Sequence, residues 1–108
     1  MKIEINNDIE YIIGKNANEN WEILDKYKNI NDNYIWFHLN SFVSCYVIMK
    51  SEEYTNSDLI YGAQLCKFNS KYKNYNNLKI IYAPLNKLTK TNKIGEVIIS
   101  GKKKLITL

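Results

Sequence analysis

The hexapeptide YIWFHL, from Tyr34 to Leu39, decides the fold of this chain. It consists of aromatic and β-branched residues, which favour strands, and successive side chains of a strand point to opposite faces. One face carries Tyr34, Trp36 and His38, and the other carries Ile35, Phe37 and Leu39. The pattern predicts a central strand, and residues 43–49 predict a second strand that runs antiparallel to it after a short connection.

Two helices are predicted, one before and one after this strand pair in the sequence. The first spans about residues 16–28, because Asn16 can cap it, with Glu19 three residues later, and its apolar residues share one face. The second begins at a capping box formed by residues 55–58 and ends near Ser70. Gly62 allows this second helix to approach the sheet closely. Short strands are predicted at residues 9–13, 78–82, 96–100 and 105–108.

The resulting order, β-α-β-β-α-β-β-β, predicts an α+β fold with two main helices packed on one mostly antiparallel sheet. We expect residues 1–108 to form a single domain, since domains are commonly about 100–150 residues long. The apolar face of each element must be covered. We therefore expect Trp21 and Leu24 of the first helix to pack against the strand face that carries Ile35, Phe37 and Leu39.

Charge is divided unevenly along the chain. Residues 1–60 contain 5 lysines and 10 acidic residues, a balance of −5, whereas residues 61–108 contain 10 lysines and only Glu96, a balance of +9. Every basic residue is lysine, which an AT-rich genome would also produce, but codon bias does not explain where the acids lie. A basic half favours a polyanionic partner. The alternative is that the two halves interleave in space and their charges cancel.

Two lysine-rich segments are candidate contacts for such a partner. The loop at residues 71–75 reads KYKNY, in which lysines can neutralise phosphates while Tyr72 and Tyr75 stack on unpaired bases. The second segment is the lysine run at residues 102–104. A solvated loop and a charged hairpin turn remain the alternative interpretations of these two segments.

The sequence predicts no catalytic residue, metal site or cofactor. His38 is the only histidine, and Cys45 and Cys66 do not form a zinc-binding motif. A dyad of His38 and Cys45 is the enzymatic alternative, and it requires both side chains to meet in one pocket. The first ten residues do not resemble a secretion signal, and no apolar run is long enough for a membrane. We expect both cysteines to be reduced, in a cytoplasmic or nuclear protein.

Several motifs resemble those of the NFACT-R family of RNA-binding domains. The segment Gly14-Lys15-Asn16, followed by Asn20, is similar to the family's opening motif, and residues 35–38 are similar to its Trp-Phe-His strand. Residues 63–70 resemble its alanine-rich helix, and residues 80–97 resemble its C-terminal pattern. The likeness spans about residues 9–107. Within the family it is nearest to stand-alone eukaryotic members that carry a coiled coil, although here without the coiled coil.

This resemblance implies a non-enzymatic module that binds RNA, either tRNA or ribosomal RNA, in translation or ribosome-associated quality control. DNA binding and a protein-adaptor role are the alternatives. The predicted nucleic-acid contacts are Lys15, Asn16, Lys71, Lys73, Lys102, Lys103 and Lys104. The positions that match family motifs are Gly14, Asn20, Trp36, Phe37, His38, Tyr46 and Ser70. Tyr46 stands where the family has a second motif histidine, so any role of that histidine is in doubt here.

Overall fold

Eight strands and two α-helices make up the fold, which the computed structural model describes for residues 1–108. The elements are β1 (Lys2–Asn6), β2 (Ile9–Ile13), α1 (Ala17–Ile30), β3 (Ile35–Leu39), β4 (Val47–Met49), α2 (Asn56–Phe68), β5 (Lys79–Pro84), β6 (Leu88–Lys90), β7 (Val97–Ile99) and β8 (Lys104–Thr107). A 3-10 turn, Leu85–Lys87, joins β5 to β6. No helix has the length and apolar character that crossing a membrane requires.

Six of the strands form one sheet in the order β1-β2-β4-β3-β5-β8, and all neighbouring strands are antiparallel. Strand β3 lies inside this sheet, where Phe37 is opposite Val47 on one side and Tyr82 on the other. Strands β6 and β7 pair separately as a hairpin. The predicted α+β class, with two helices on a mostly antiparallel sheet, is confirmed.

The two helices cover opposite faces of the sheet. The face that carries Ile35, Phe37 and Leu39 is buried against α2. Leu24 of α1 lies in a separate cluster with Trp36, on the other face of β3. The expectation that α1 covers the Ile35, Phe37 and Leu39 face is therefore wrong. Both faces of β3 are apolar, so the sequence pattern does not identify which helix covers which face.

Helix α2 is fixed by its first turn and by one close contact. Its capping box is present as predicted: Asp58 N donates to Thr55 Oγ1 at 3.3 Å, and Thr55 N donates to Asp58 Oδ2 at 2.9 Å. At Gly62 a β-carbon would come within 2.5 Å of the Phe37 ring. Glycine is therefore needed for α2 to lie this close to β3, as the sequence predicts.

The β6–β7 hairpin packs beside α1. Lys28 Nζ donates to Leu88 O at 2.6 Å, and Lys90 Nζ lies 2.8 Å from Asp25 Oδ2. At its far end the turn of the hairpin reaches the beginning of α1, where a β-carbon on Gly95 would come within 2.8 Å of Ala17 Cβ. Gly95 has a φ of +88°, a conformation that favours glycine.

Three elements differ from the prediction. Strand β4 begins at Val47 rather than at Val43, whose side chain is 93% exposed. Strands β1 and β6 were not predicted. Strand β1 is an edge strand whose apolar residues Ile3 and Ile5 are 47% and 67% exposed, so pairing with β2 holds it in the sheet rather than burial of an apolar face.

Candidate nucleic-acid interface

Asn20 is the polar centre of the first motif. It is 4% exposed, its Oδ1 accepts a hydrogen bond from Tyr46 N at 3.0 Å, and its Nδ2 donates to Ser44 O at 3.4 Å. Gly14 N donates to Tyr46 O at 3.0 Å, and a β-carbon at Gly14 would overlap Asn20 Oδ1. Gly14 and Asn20 thus act together: they hold the beginning of α1 against the end of β2 and the segment that leads into β4.

Lys15 and Asn16 lie between these two residues at the start of α1. Glu19 N donates to Asn16 Oδ1 at 2.9 Å, so the predicted helix cap is confirmed. The Asn16 Nδ2 makes no hydrogen bond within the chain, and Lys15 forms no salt bridge. Both residues line the cleft described below. The cap fixes their backbone while it leaves the lysine side chain exposed.

Three aromatic rings from β3 and the segment before β4 form a closed cluster on the α1 side of the sheet. His38 stacks on Trp36 with centroids 5.5 Å apart and an interplanar angle of 4°, and the Tyr46 ring contacts both edge-on. Trp36 is 2% exposed and Tyr46 is 1% exposed. Neither ring offers a free face to a ligand, so their role is structural.

Burial also sets the protonation of this cluster. It lowers the pKa of His38 below the ordinary value of 6.5, so the ring is neutral at neutral pH. It raises the pKa of Tyr46 to about 12, and the Tyr46 hydroxyl donates to Gly95 O at 2.6 Å. The cluster therefore carries no charge, and it fastens the turn between β6 and β7 to the sheet.

A cleft of about 890 Å³ lies over this aromatic floor. Its walls are the segment between β3 and β4, the beginning of α1, the turn of the β6–β7 hairpin and the end of α2. We call it the lysine cleft, because its lining includes Lys2, Lys15, Lys71, Lys93 and Lys103. The only carboxylate side chain in the lining is Glu96.

These lysines come from parts of the chain that are far apart in sequence. Lys2 lies 3.6 Å from Glu4, whereas the other four form no salt bridge. Positive charge that converges in a concave site raises the local concentration of anions, because the low-dielectric walls focus the electric field. The arrangement is suited to a polyanion, because lysines that form no salt bridge bind phosphate groups well.

Three acidic residues lie at the lysine cleft: Glu96 lines it, Glu4 pairs with Lys2, and Glu19 pairs with the N-terminus. Five others lie at the far ends of the strands. Asp8 and Glu10 are at the start of β2, Asp32 precedes β3, and Glu52 and Glu53 follow β4. These three strands run so that their other ends, at residues 13–14, 39–40 and 46–47, border the cleft. Both halves of the chain contribute to the cleft, and its lysines outnumber the carboxylates beside it.

The structure brings together part of the predicted contact set. Lys15, Asn16, Lys71 and Lys103 line the lysine cleft. Lys73, Lys102 and Lys104 are exposed but do not line it, and Lys104 lies in β8 opposite Tyr82. Sequence reasoning missed Lys2 and Lys93. No local signal distinguishes Lys93 from the other lysines, because the folding of the β6–β7 hairpin onto α1 is what brings it to the cleft.

Ser70 and Phe37, the remaining motif residues, have structural contacts. Ser70 Oγ donates to Lys67 O at 2.6 Å and accepts from Tyr72 N at 3.1 Å, which ends α2 and begins the following loop. Phe37 is fully buried beneath Gly62. Family-motif positions thus build the walls of the cleft, while its charge comes largely from residues outside the motifs.

The enzymatic alternative is not supported by the arrangement of His38 and Cys45. Both line the cleft, but His38 stacks on the α1 side of the sheet, whereas Cys45 packs against the cluster on the α2 side. Cys66 Sγ donates to Cys45 O at 3.8 Å, and the interaction of the two neighbouring thiols lowers the pKa of Cys45 and raises that of Cys66. Both cysteines are free, and no group of three potential metal ligands is present.

A second aromatic cluster lies at the surface beside the lysine cleft. Phe42 stacks on Tyr72 with centroids 4.1 Å apart, and Tyr75 contacts the Tyr72 ring edge-on at 5.1 Å. Phe42 is 37% exposed and Tyr75 is 53% exposed, whereas Tyr72 packs against the core. Unlike the rings of the cleft floor, these two offer aromatic surface to solvent.

Comparison with known proteins identifies a family and a solved structure of similar fold. The family model described as the NFACT protein RNA binding domain matches residues 4–105. The solved structure of the C-terminal part of the fibronectin/fibrinogen-binding protein from Streptococcus suis is similar, with a TM-score of 0.82 and 22% sequence identity. The match covers 93% of this chain and 40% of the solved chain, and it shows a shared fold. No curated protein matches this chain.

Proposed function

The chain belongs to the NFACT-R family of RNA-binding domains, and on this basis we propose that it binds RNA through the lysine cleft. One observation carries the assignment to this site: five lysines from separate parts of the chain converge there, with a single carboxylate among them. RNA is a polyanion, and its phosphates would be neutralised by Lys15, Lys71, Lys93 and Lys103, which form no salt bridge within the protein.

Contacts of this kind position an RNA without reading its sequence. Lysine presents a compact charge and lacks the planar fork with which arginine recognises base edges. The proposed function therefore predicts weak sequence preference and strong salt dependence. Each phosphate neutralised on a single strand contributes about −0.7 to the slope of log K against log salt, so four lysines predict a slope of about −3.

The proposed target is tRNA or ribosomal RNA, with a role in translation or ribosome-associated quality control. Family membership and the lysines of the cleft support this choice, and we propose a cytoplasmic location with it. The proposed function requires no catalytic group, metal or cofactor, because binding by lysines is electrostatic. The competing functions are DNA binding, which predicts duplex DNA binding at least as tight as RNA binding, and a protein-adaptor role, which predicts no nucleic-acid binding.

The test is a fluorescence anisotropy titration of labelled single-stranded RNA, tRNA and duplex DNA at several salt concentrations. We expect single-stranded RNA and tRNA to bind more tightly than duplex DNA. The double variant Lys15→Gln/Lys93→Gln should weaken binding to all RNAs and reduce the steepness of the slope by about 1.4. The matched control is Lys26→Gln/Lys87→Gln, which removes the same charge outside the cleft and should leave the slope unchanged.

Two outcomes would contradict the proposal at different levels. Equal weakening by the cleft and control variants would refute the lysine cleft as the binding site. Absence of binding to any nucleic acid at low salt would refute RNA binding itself, and tighter binding to duplex DNA would favour the DNA alternative.

A further inference from the structure

A smaller cleft of about 270 Å³ lies on the other side of Phe42. Phe42 lines both clefts, so a strand that leaves the lysine cleft over this ring enters the smaller one. Tyr75 and Lys79 also line the smaller cleft, together with three asparagines, Asn40, Asn76 and Asn77.

The aromatic side of this cleft is built in advance of any ligand. Tyr72 packs against the buried core, and Phe42 rests on Tyr72 with an interplanar angle of 25°. Tyr75 completes the cluster, with its centroid 6.3 Å from that of Phe42. Because the rings support one another, a ligand that stacks on the exposed ones need not order them first.

The polar groups that line this cleft make no polar side-chain contacts with the rest of the chain. The carboxamides of Asn40, Asn76 and Asn77 form no hydrogen bond within the chain, and Lys79 forms no salt bridge. A carboxamide offers both donors and an acceptor, which match the edge of a nucleobase. Lys79 and Lys71, which line the smaller and the larger cleft, place positive charge on both sides of the aromatic cluster.

We infer that the smaller cleft binds one unpaired nucleobase, which stacks on Phe42 and Tyr75 with its edge toward the asparagines. This inference rests on the proposed function, because the lysine cleft supplies the phosphate contacts that deliver the strand. It narrows the ligand class to RNA with unpaired nucleotides. A base that is paired within a duplex is stacked between its neighbours and has no free face for the aromatic cluster.

The test separates base binding from phosphate binding. Anisotropy titrations compare an oligoadenylate with an abasic ribose-phosphate chain of the same length, which keeps the charge but has no bases. We expect the oligoadenylate to bind about tenfold more tightly, since stacking of a base on an aromatic side chain is commonly worth that factor or more. The salt slopes of the two ligands should be equal, because both contact the same lysines.

Variants assign the effect to the smaller cleft. Tyr75→Ala should lower the affinity for oligoadenylate severalfold and leave the affinity for the abasic chain unchanged, because Tyr75 lines only the smaller cleft. Phe42→Ala should also lower the affinity for oligoadenylate severalfold. Tyr75→Phe keeps the ring and should bind like the wild type. The control is Tyr54→Ala, which removes a tyrosine that is 41% exposed and lines neither cleft. Equal affinity of the wild type for the two ligands would overturn the base site while RNA binding stands. Failure of both ligands to bind would overturn the inference together with the proposed function.

Discussion

Gly14 and Asn20 should be energetically coupled, and a double-mutant cycle can measure the coupling. The change Asn20→Ala removes the acceptor of Tyr46 N, a buried donor that then has no partner. Leaving such a group unsatisfied costs about 1–3 kcal/mol. The lost contact with Ser44 O adds to this, so we expect the variant to be destabilised by about 2–3 kcal/mol.

The change Gly14→Ala should act through the same carboxamide. Its new β-carbon would overlap Asn20 Oδ1, so the side chain of Asn20 must move and its bond to Tyr46 N must lengthen or break. Overpacking of this kind typically costs about 1–3 kcal/mol. In the double variant the carboxamide is absent and the β-carbon occupies space that it leaves. The destabilisation of the double variant should therefore be smaller than the sum of the two single destabilisations by about 1–3 kcal/mol.

The measurement is urea unfolding of the wild type, both single variants and the double variant, followed by the fluorescence of Trp21 and Trp36. The control cycle combines Gly14→Ala with Asn69→Ala, a surface residue whose Nδ2 donates to Leu65 O at 2.8 Å, and should be additive. If the Gly14 and Asn20 changes are additive within about 0.5 kcal/mol, the two residues act independently and our account of the motif is refuted.

Three further predictions concern stability. Gly62→Ala should destabilise the domain by about 1–2 kcal/mol in urea unfolding, because the clash with Phe37 outweighs the gain of about 1 kcal/mol in helix propensity; a variant as stable as the wild type would contradict the close contact. Burial lowers the pKa of His38 below 6.5, so the unfolded chain binds its proton at higher pH than the folded chain. The stabilisation that neutral His38 gives the folded state is therefore fully present above about pH 6.5 and is lost as the pH falls. His38→Gln should lose less stability between about pH 7.5 and pH 5.5 than the wild type. Since no cluster of metal ligands is present, EDTA should leave the melting temperature unchanged, and a drop would reveal a site that we have missed.

The sequence allowed the elements with strong local signals to be predicted. The capping residues Asn16 and Thr55, the alternating strand at residues 35–39 and the close approach at Gly62 each have a local chemical cause, and each is confirmed. The assignment of α1 to the wrong face had a different origin. Periodicity identifies an apolar face, but the partner of that face is decided by chain topology.

The lysine cleft was only partly predictable for the same reason. Lys71 and Lys103 belong to runs that stand out in the sequence, whereas Lys93 and Phe42 reach the two clefts through the packing of distant segments. Charge imbalance between the halves of the chain indicated a basic surface. Its concave shape and its aromatic rim emerge only when the hairpin, the helix end and the loop after β3 come together.

Five acidic residues lie at the ends of the strands opposite the lysine cleft, so the charge of the domain is distributed asymmetrically along the strands. The longest dimension of the domain is 31 Å, about the Debye length at 0.01 M salt and roughly four times the length at 0.15 M. In dilute salt an approaching polyanion should therefore exert a torque that turns the lysine cleft toward it before contact. At 0.15 M that orienting field is screened beyond the nearest residues, so encounters should become less directed and association slower, even for an RNA whose bound state is the same.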